Sequence, residues 1–171
     1  MTPAATKSPI KILFVCLGNI CRSPMAQAVF QGIIDDASLT EYFLLDSAGT
    51  SANHEGEAYH RETQRVCRDH SLILRGASRP VLYPDLEEFD YIVAMDSSNY
   101  QDLLALDAKG MHEKKISRLL DFSSLGPAHD FDVPDPYFGG PKGFDQVYEI
   151  ILDGCLGLFR KIKMEKKEFP L

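Results

Sequence analysis

The residues Cys16-Leu17-Gly18-Asn19-Ile20-Cys21-Arg22-Ser23-Pro24 hold the densest chemistry in the chain. A thiol is followed, after five intervening residues, by an arginine-serine pair, where a short apolar run has ended and a Ser-Pro helix opening begins. A strand, a tight loop and a helix start make an anion trap. Loop N–H groups converge on one point, and the helix N-terminus adds partial positive charge. Arg22 can grip two oxygens of a tetrahedral anion with its planar fork. Gly18 and Asn19 tolerate left-handed backbone, as a loop wrapped around a sphere requires. Leu17 through Ser23 are the expected phosphate-binding stretch.

The same donors favour a thiolate on Cys16. A free thiol ionises near pH 8.5, which leaves about 3% thiolate at pH 7. Moving that ionisation to about pH 5 takes about 5 kcal/mol of differential stabilisation. Such a sulfur, held under a phosphate monoester, can attack phosphorus in line while Arg22 and the amides stabilise the equatorial oxygens. Ser23 is placed to hydrogen-bond the sulfur and ease its departure when the phosphocysteine is hydrolysed. Taken singly, Cys16 reads as a strand-end core residue, Gly18-Asn19 as a turn and Arg22 as a surface side chain. Their order and spacing favour the site. A Walker A loop is excluded because no Gly-Lys-Ser/Thr follows, and a dinucleotide fingerprint because G-x-G-x-x-G is absent.

Alkyl alkoxides leave poorly, and an acid on the bridging oxygen is typically worth about 10²–10⁴-fold. His129, Asp130, Asp132 and Asp135 are candidates in one Pro/Gly-rich stretch. Asp135 stands between Pro134 and Pro136, which stiffen the backbone around it.

These groups need a scaffold. Residues 10–15 are apolar and branched, and read as a central strand buried on both faces. Ser23 as N-cap and Pro24 at the first helical position predict a helix to about Ala37. Further strands are expected at 42–47, 91–95 and 116–119. Helices are expected at 62–70, at 99–106 capped by Asp96 and Ser97, and at 144–167. Strands alternating with helices predict an α/β fold, with a parallel sheet covered by helices on both faces. In the closing helix, Asp145, Glu149 and Asp153 come early and the lysines late, which suits the helix dipole without any partner.

The 171 residues fit one domain, at residues 10–171 behind a flexible lead-in of residues 1–9. Such a chain can bury about 70% of its unfolded surface. Hydrophobic residues make up 44%, charged residues 25%, and the net charge is −7. The acidic balance argues against nucleic acid as a partner. No apolar run approaches the ~20 residues of a membrane span. The polar N-terminus lacks a signal-peptide stretch, so a cytoplasmic protein without a membrane partner is expected. Cysteines at 16, 21, 67 and 155 read as free thiols. They and the five scattered histidines show no close ligand pairing, so no metal is expected.

The stretch Val15 to Pro24 closely resembles the phosphate-binding loop of the low-molecular-weight protein tyrosine phosphatases. The likeness continues through Asp46-Ser47-Ala48-Gly49-Thr50-Ser51, Phe89 to Asp96 and Asp135-Pro136-Tyr137, in the family's order. The resemblance implies a three-layer Rossmann-like fold with strand order 2-1-3-4. It implies a two-step reaction through phosphocysteine, without metal or organic cofactor, on a phosphotyrosine-containing protein or aryl phosphate, releasing inorganic phosphate. It assigns the nucleophile to Cys16, phosphate binding to Arg22 and the acid/base to Asp135. Tyr137 becomes one pocket wall, Asn19 the residue that holds the loop's shape, and Ser47 with Ser23 part of that network. It also implies that Cys21 can form a reversible disulfide with Cys16 that shields the nucleophile.

The wall opposite Tyr137 is usually aromatic in the family and falls on Asn53 here, which implies weaker selection for aromatic esters. Phe138 stands where some members carry a second tyrosine. Two alternatives remain. An arsenate reductase uses a related loop but needs two relayed thiols, and Cys67 and Cys155 are isolated. A non-catalytic phosphotyrosine-binding module needs neither Cys16 nor Asp135.

Overall fold

The computed structural model describes residues 8–124, 132–166 and 169. Four strands, β1 (Ile10–Cys16), β2 (Phe43–Gly49), β3 (Tyr91–Ala94) and β4 (Ile116–Arg118), form one all-parallel sheet in the order β2-β1-β3-β4. The helices are α1 (Arg22–Asp36), α2 (Arg61–Asp69), α3 (Tyr83–Glu88), α4 (Ser97–Leu106) and α5 (Pro141–Glu165). The expected order 2-1-3-4 is therefore the observed one.

Alternation along β1 divides the core. Ile12, Phe14 and Cys16 face a large cluster with Met25, Phe30, Ile151 and Leu158 from α1 and α5. Leu13 and Val15 face a smaller cluster with Leu86 of α3 and Leu103 of α4. Successive side chains of a strand point to opposite faces, so a central parallel strand must be apolar throughout. Strand order reverses at β1, and ligands of open α/β sheets bind where it does, beyond the carboxyl ends of the strands. Cys16 ends β1, and Asp96 follows β3 by two residues.

Several elements differ from expectation. Helix α1 begins at Arg22 after Cys21, so Ser23 lies inside the first turn and is not the N-cap. Helix α5 begins at Pro141, ahead of the expected 144, because Gly140 precedes a proline already set at helical φ. Helix α3 was not expected. Its six residues are too few to show a period, and it is held by Asp85, which accepts from the Leu82 N–H at 2.8 Å. The first turn of α5 carries no acidic residue. Its carboxylates serve tertiary contacts instead. Asp145 pairs with Arg65 of α2 at 3.1 Å, and Asp153 accepts from Ser123 and Ser124. Lys167, His129 and Asp130 lie outside the described residues, as does most of the lead-in.

Candidate active site

The loop from Cys16 to Ser23 is turned inside out relative to an ordinary turn. Its carbonyls are taken from outside. Thr50 N–H donates to Cys16 at 2.9 Å, Ser51 N–H to Leu17 at 2.9 Å and His60 N–H to Ile20 at 2.8 Å. The Ser78 hydroxyl donates to Gly18 at 2.9 Å, and the Thr63 hydroxyl to Cys21 at 3.2 Å. With the carbonyls drawn outward, the N–H groups face the opposite way. Among the described residues none accepts from the N–H of Gly18 through Cys21. The start of α1 also lacks a side-chain cap and an acidic residue. A cap would occupy the donors that an anionic ligand needs.

Asn19 is the loop's left-handed residue, with φ +54°, and is fully buried. Gly18 is not left-handed. Gly49 is the glycine the loop requires. A Cβ there would stand 2.6 Å from the Leu17 carbonyl oxygen. Nothing in the chemistry of the loop singled it out, although it belongs to the Asp46–Ser51 stretch.

Beneath the loop runs a chain of buried hydrogen bonds. The Arg79 main-chain N–H donates to Asn19 Oδ1 at 3.0 Å, which fixes the amide's orientation. Asn19 Nδ2 then donates to Ser23 Oγ at 2.8 Å and to Ser47 Oγ at 2.9 Å. Ser23 Oγ lies 2.9 Å from Cys16 Sγ and 3.4 Å from the Ala48 carbonyl. Having accepted from Asn19, Ser23 has one proton left, and the sulfur is its nearer target.

Arg22 closes the other side. It is 3% exposed, and Nη1 donates to Asp96 Oδ2 at 2.7 Å and to the Val133 carbonyl at 2.9 Å. Burial alone would weaken its charge, but Cys16 and Asp96 outweigh burial and hold its pKa above the ordinary value. Its Nη2 lies 3.6 Å from Asp135 Oδ2. Asp96 had been read only as a helix cap, which it also is, accepting from Asn99 N–H at 2.7 Å. Asp132 accepts from the Ser97 N–H and hydroxyl, both at 2.7 Å, so it is spent on the start of α4.

A cavity of about 180 Å³ brings together Cys16, Leu17, Gly18, Ile20, Cys21, Arg22, Asn53, Asp135 and Tyr137, with Ser51, His54 and Phe138 added. Asn19, Ser23 and Ser47 stand behind it as support. His54 gives the mouth a ring that the sequence reading had not placed. Its centroid lies 6.3 Å from that of Tyr137, and its Nδ1 is 2.6 Å from Glu57 Oε2. Asn53 lines the same mouth, so the amide is not the sole group opposite Tyr137. Cys21 is buried, and burial, then the nearby Cys16 and Asp135, push its thiol up to about 12. Among the described residues no group of three or more His, Cys, Asp or Glu could hold a metal ion.

The family model for low molecular weight phosphotyrosine protein phosphatases matches residues 11–168. The chain belongs to this family. Among its phosphatase relatives, YfkJ of Bacillus subtilis is 40% identical over 92% of this chain and 99% of its own. The YfkJ crystal structure superposes with a TM-score of 0.86, over 93% of this chain and 98% of that one. A protein tyrosine phosphatase from Entamoeba histolytica is 41% identical with a TM-score of 0.83, covering 94% and 99% of the two chains. A Drosophila arginine phosphatase is 33% identical with a TM-score of 0.83, covering 90% and 98%. The phosphatase fold in these neighbours is the Rossmann-like arrangement seen here. No helix among the described residues of this phosphatase is long and apolar enough to cross a membrane.

Proposed function

We propose that this phosphatase hydrolyses phosphate monoesters, phosphotyrosine in proteins foremost, through a phosphocysteine on Cys16. The observation that carries the reading is the convergence on one cavity of Cys16, Arg22 and Asp135 with a loop whose carbonyls are turned away. The Cys16 thiolate attacks phosphorus and the bridging P–O bond breaks. Asp135 gives its proton to the leaving oxygen. Asp135 then takes a proton from water, whose oxygen attacks phosphorus as the S–P bond breaks. Inorganic phosphate leaves, and the Ser23 hydroxyl donates to the departing sulfur. The loop amides and Arg22 stabilise the equatorial oxygens in both steps, and neither step calls for a metal or an organic cofactor. A soluble cytoplasmic setting and one folded unit over residues 10–171 belong to the same proposal.

Buried Cys67 and Cys155, one each in α2 and α5, supply no accessible relay and disfavour arsenate reduction. A pure binding module leaves Asp135 beside Arg22 without a task. Phosphoarginine is the competing substrate, since two structural neighbours are arginine phosphatases. Hydrolysis of a chromogenic aryl phosphate by wild type, Cys16→Ser and Asp135→Ala tests the chemistry. Loss in the first and reduction in the second is expected; activity retained in Cys16→Ser refutes it. Matched phosphotyrosine and phosphoarginine peptides decide the substrate.

Cys21 is assigned the redox role. Peroxide converts the Cys16 thiolate to a sulfenic acid, and the Cys21 sulfur displaces its hydroxyl as water to close a disulfide. Peroxide inactivation that a thiol reverses in wild type but not in Cys21→Ser is expected; equal recovery refutes the role.

A further inference from the structure

We infer that His60 is a positioning residue for the acid: its ring anchors Tyr137, whose main chain sets which oxygen of Asp135 faces the cavity. The inference rests on Asp135 being the general acid, as proposed above.

The link from Tyr137 to Asp135 is direct. The Tyr137 N–H donates to Asp135 Oδ1 at 3.1 Å. Asp135 Oδ2 is left toward the cavity, 3.6 Å from Arg22 Nη2. Pro136, buried between the two residues, stiffens that turn. Where the Tyr137 backbone goes, the Asp135 carboxyl follows. Yet Tyr137 is 41% exposed and sits in a turn, so its place depends on what its ring meets.

Among the described residues three rings meet it. The Phe138 centroid is 4.8 Å away, but that residue is 94% exposed. His54, at 6.3 Å, is tied to Glu57 three residues along its own loop. His60, at 5.9 Å and 70° to the Tyr137 ring, is the one fixed to the core. It stacks on Phe144 of α5 at 4.8 Å and 22°, and Phe144 is 1% exposed. Both arrangements are favourable for rings.

The His60 ring is fixed in rotation as well. Its Nδ1 accepts from the Glu62 N–H at 3.1 Å, which makes His60 the N-cap of α2. Its main-chain N–H donates to Ile20 at 2.8 Å. One residue thus holds a carbonyl of the phosphate loop with its main chain and the acid segment with its side chain. The two halves of the site are set against each other there. The residue type points the same way. Asp, Asn, Ser and Thr are the preferred N-caps, and none of them carries a ring. Histidine caps with Nδ1 and still offers an aromatic body to Phe144 and Tyr137.

The test separates ring from cap. kcat/KM is measured for phenyl and para-nitrophenyl phosphate, since the poorer leaving group depends more on the acid. The variants are His60→Asn, which keeps a cap and loses the ring, and His60→Phe, which keeps a ring and loses the cap. Asp135→Asn and the His60→Asn/Asp135→Asn double variant stand beside them, with thermal midpoints for all. His60→Asn is expected to lower the phenyl-to-para-nitrophenyl ratio about three- to tenfold, a part of what the acid supplies. His60→Phe should hold the ratio within about twofold of wild type, while its thermal midpoint drops about 2–4 °C for the lost cap. The double variant should show a ratio no lower than Asp135→Asn alone, because the ring acts through that carboxyl. An unmoved ratio in His60→Asn overturns the inference whatever the thermal midpoint does. So does an equal fall in His60→Phe, or a further fall in the double variant. If His60→Asn fails to fold, His60→Gln removes the ring in its place, and an unmoved ratio there overturns the inference equally. If Asp135→Asn itself leaves the ratio at its wild-type value, the acid reading fails and this inference with it. A ratio lowered in Asp135→Asn but unmoved in His60→Asn overturns this inference alone.

Discussion

The two halves of the candidate site are built in opposite ways. In the phosphate loop, Cys16, Asn19, Arg22 and Ser23 are all at most 3% exposed, and most of its carbonyls are committed. In the segment that carries the proposed acid, Asp135 is 40%, Tyr137 41% and Phe138 94% exposed. That segment is held chiefly at its start, where buried Val133 pairs with Met95 at 2.8 Å and accepts from Arg22. The contrast fits the tasks proposed for the two regions. Donors that stabilise a transition state work best when they need no reorganisation. A group that first gives and then takes a proton must meet leaving groups of different shape and then admit water.

The contrast can be broken in four places. Asp135→Asn should cut turnover of an alkyl phosphate about 10²–10⁴-fold, a good phenolate ester much less, and leave the thermal midpoint unchanged. A large loss of stability would mean that the acid segment is structural. Arg22→Lys keeps the charge but loses the fork, and should cost about 10²–10³-fold in kcat while weakening inhibition by inorganic phosphate. Gly49→Ala drives a methyl into the Leu17 carbonyl, and should cost about 1–3 kcal/mol in urea unfolding together with activity. Phe138→Ala, by comparison, should stay within about 0.5 kcal/mol. If those last two variants unfold alike, the two regions do not differ as described.

The smallest effect sharpens the boundary between them. Asp153 receives Ser123 and Ser124, at the near edge of the stretch that leads to the acid. Burial would raise its carboxyl, but the serine hydrogen bonds win and hold it below the usual carboxylate range. A depressed folded value contributes stability above the unfolded carboxylate range, and that stability is lost as pH falls through the folded value. Asp153→Asn should therefore cost about 1 kcal/mol at pH 7 in urea unfolding and progressively less below pH 4.

What could be read from the sequence was what lies contiguous along it. β1, the loop and Arg22 sit within a few residues of one another, so spacing alone carries their chemistry. Asp135 was reached through its two prolines and the family likeness. Asp96, Gly49 and His54 are brought in by the sheet and its connections, and each has an unremarkable local role. Ser23 misled because Ser-Pro is a strong helix-start signature. The structure spends that serine on sulfur and leaves the helix uncapped. Helix α3 was missed because one and a half turns cannot display a period.

The donor that orients Asn19 belongs to the main chain of residue 79, not to a side chain. Any amino acid except proline supplies it at that position. The Arg79 side chain, which bridges Asp46 and Asp85 at 3.0 Å each, is thus free to drift over evolutionary time without reversing the polarity of the relay beneath the sulfur. The keystone of the site is mutationally silent, and sequence comparison at residue 79 would not reveal it.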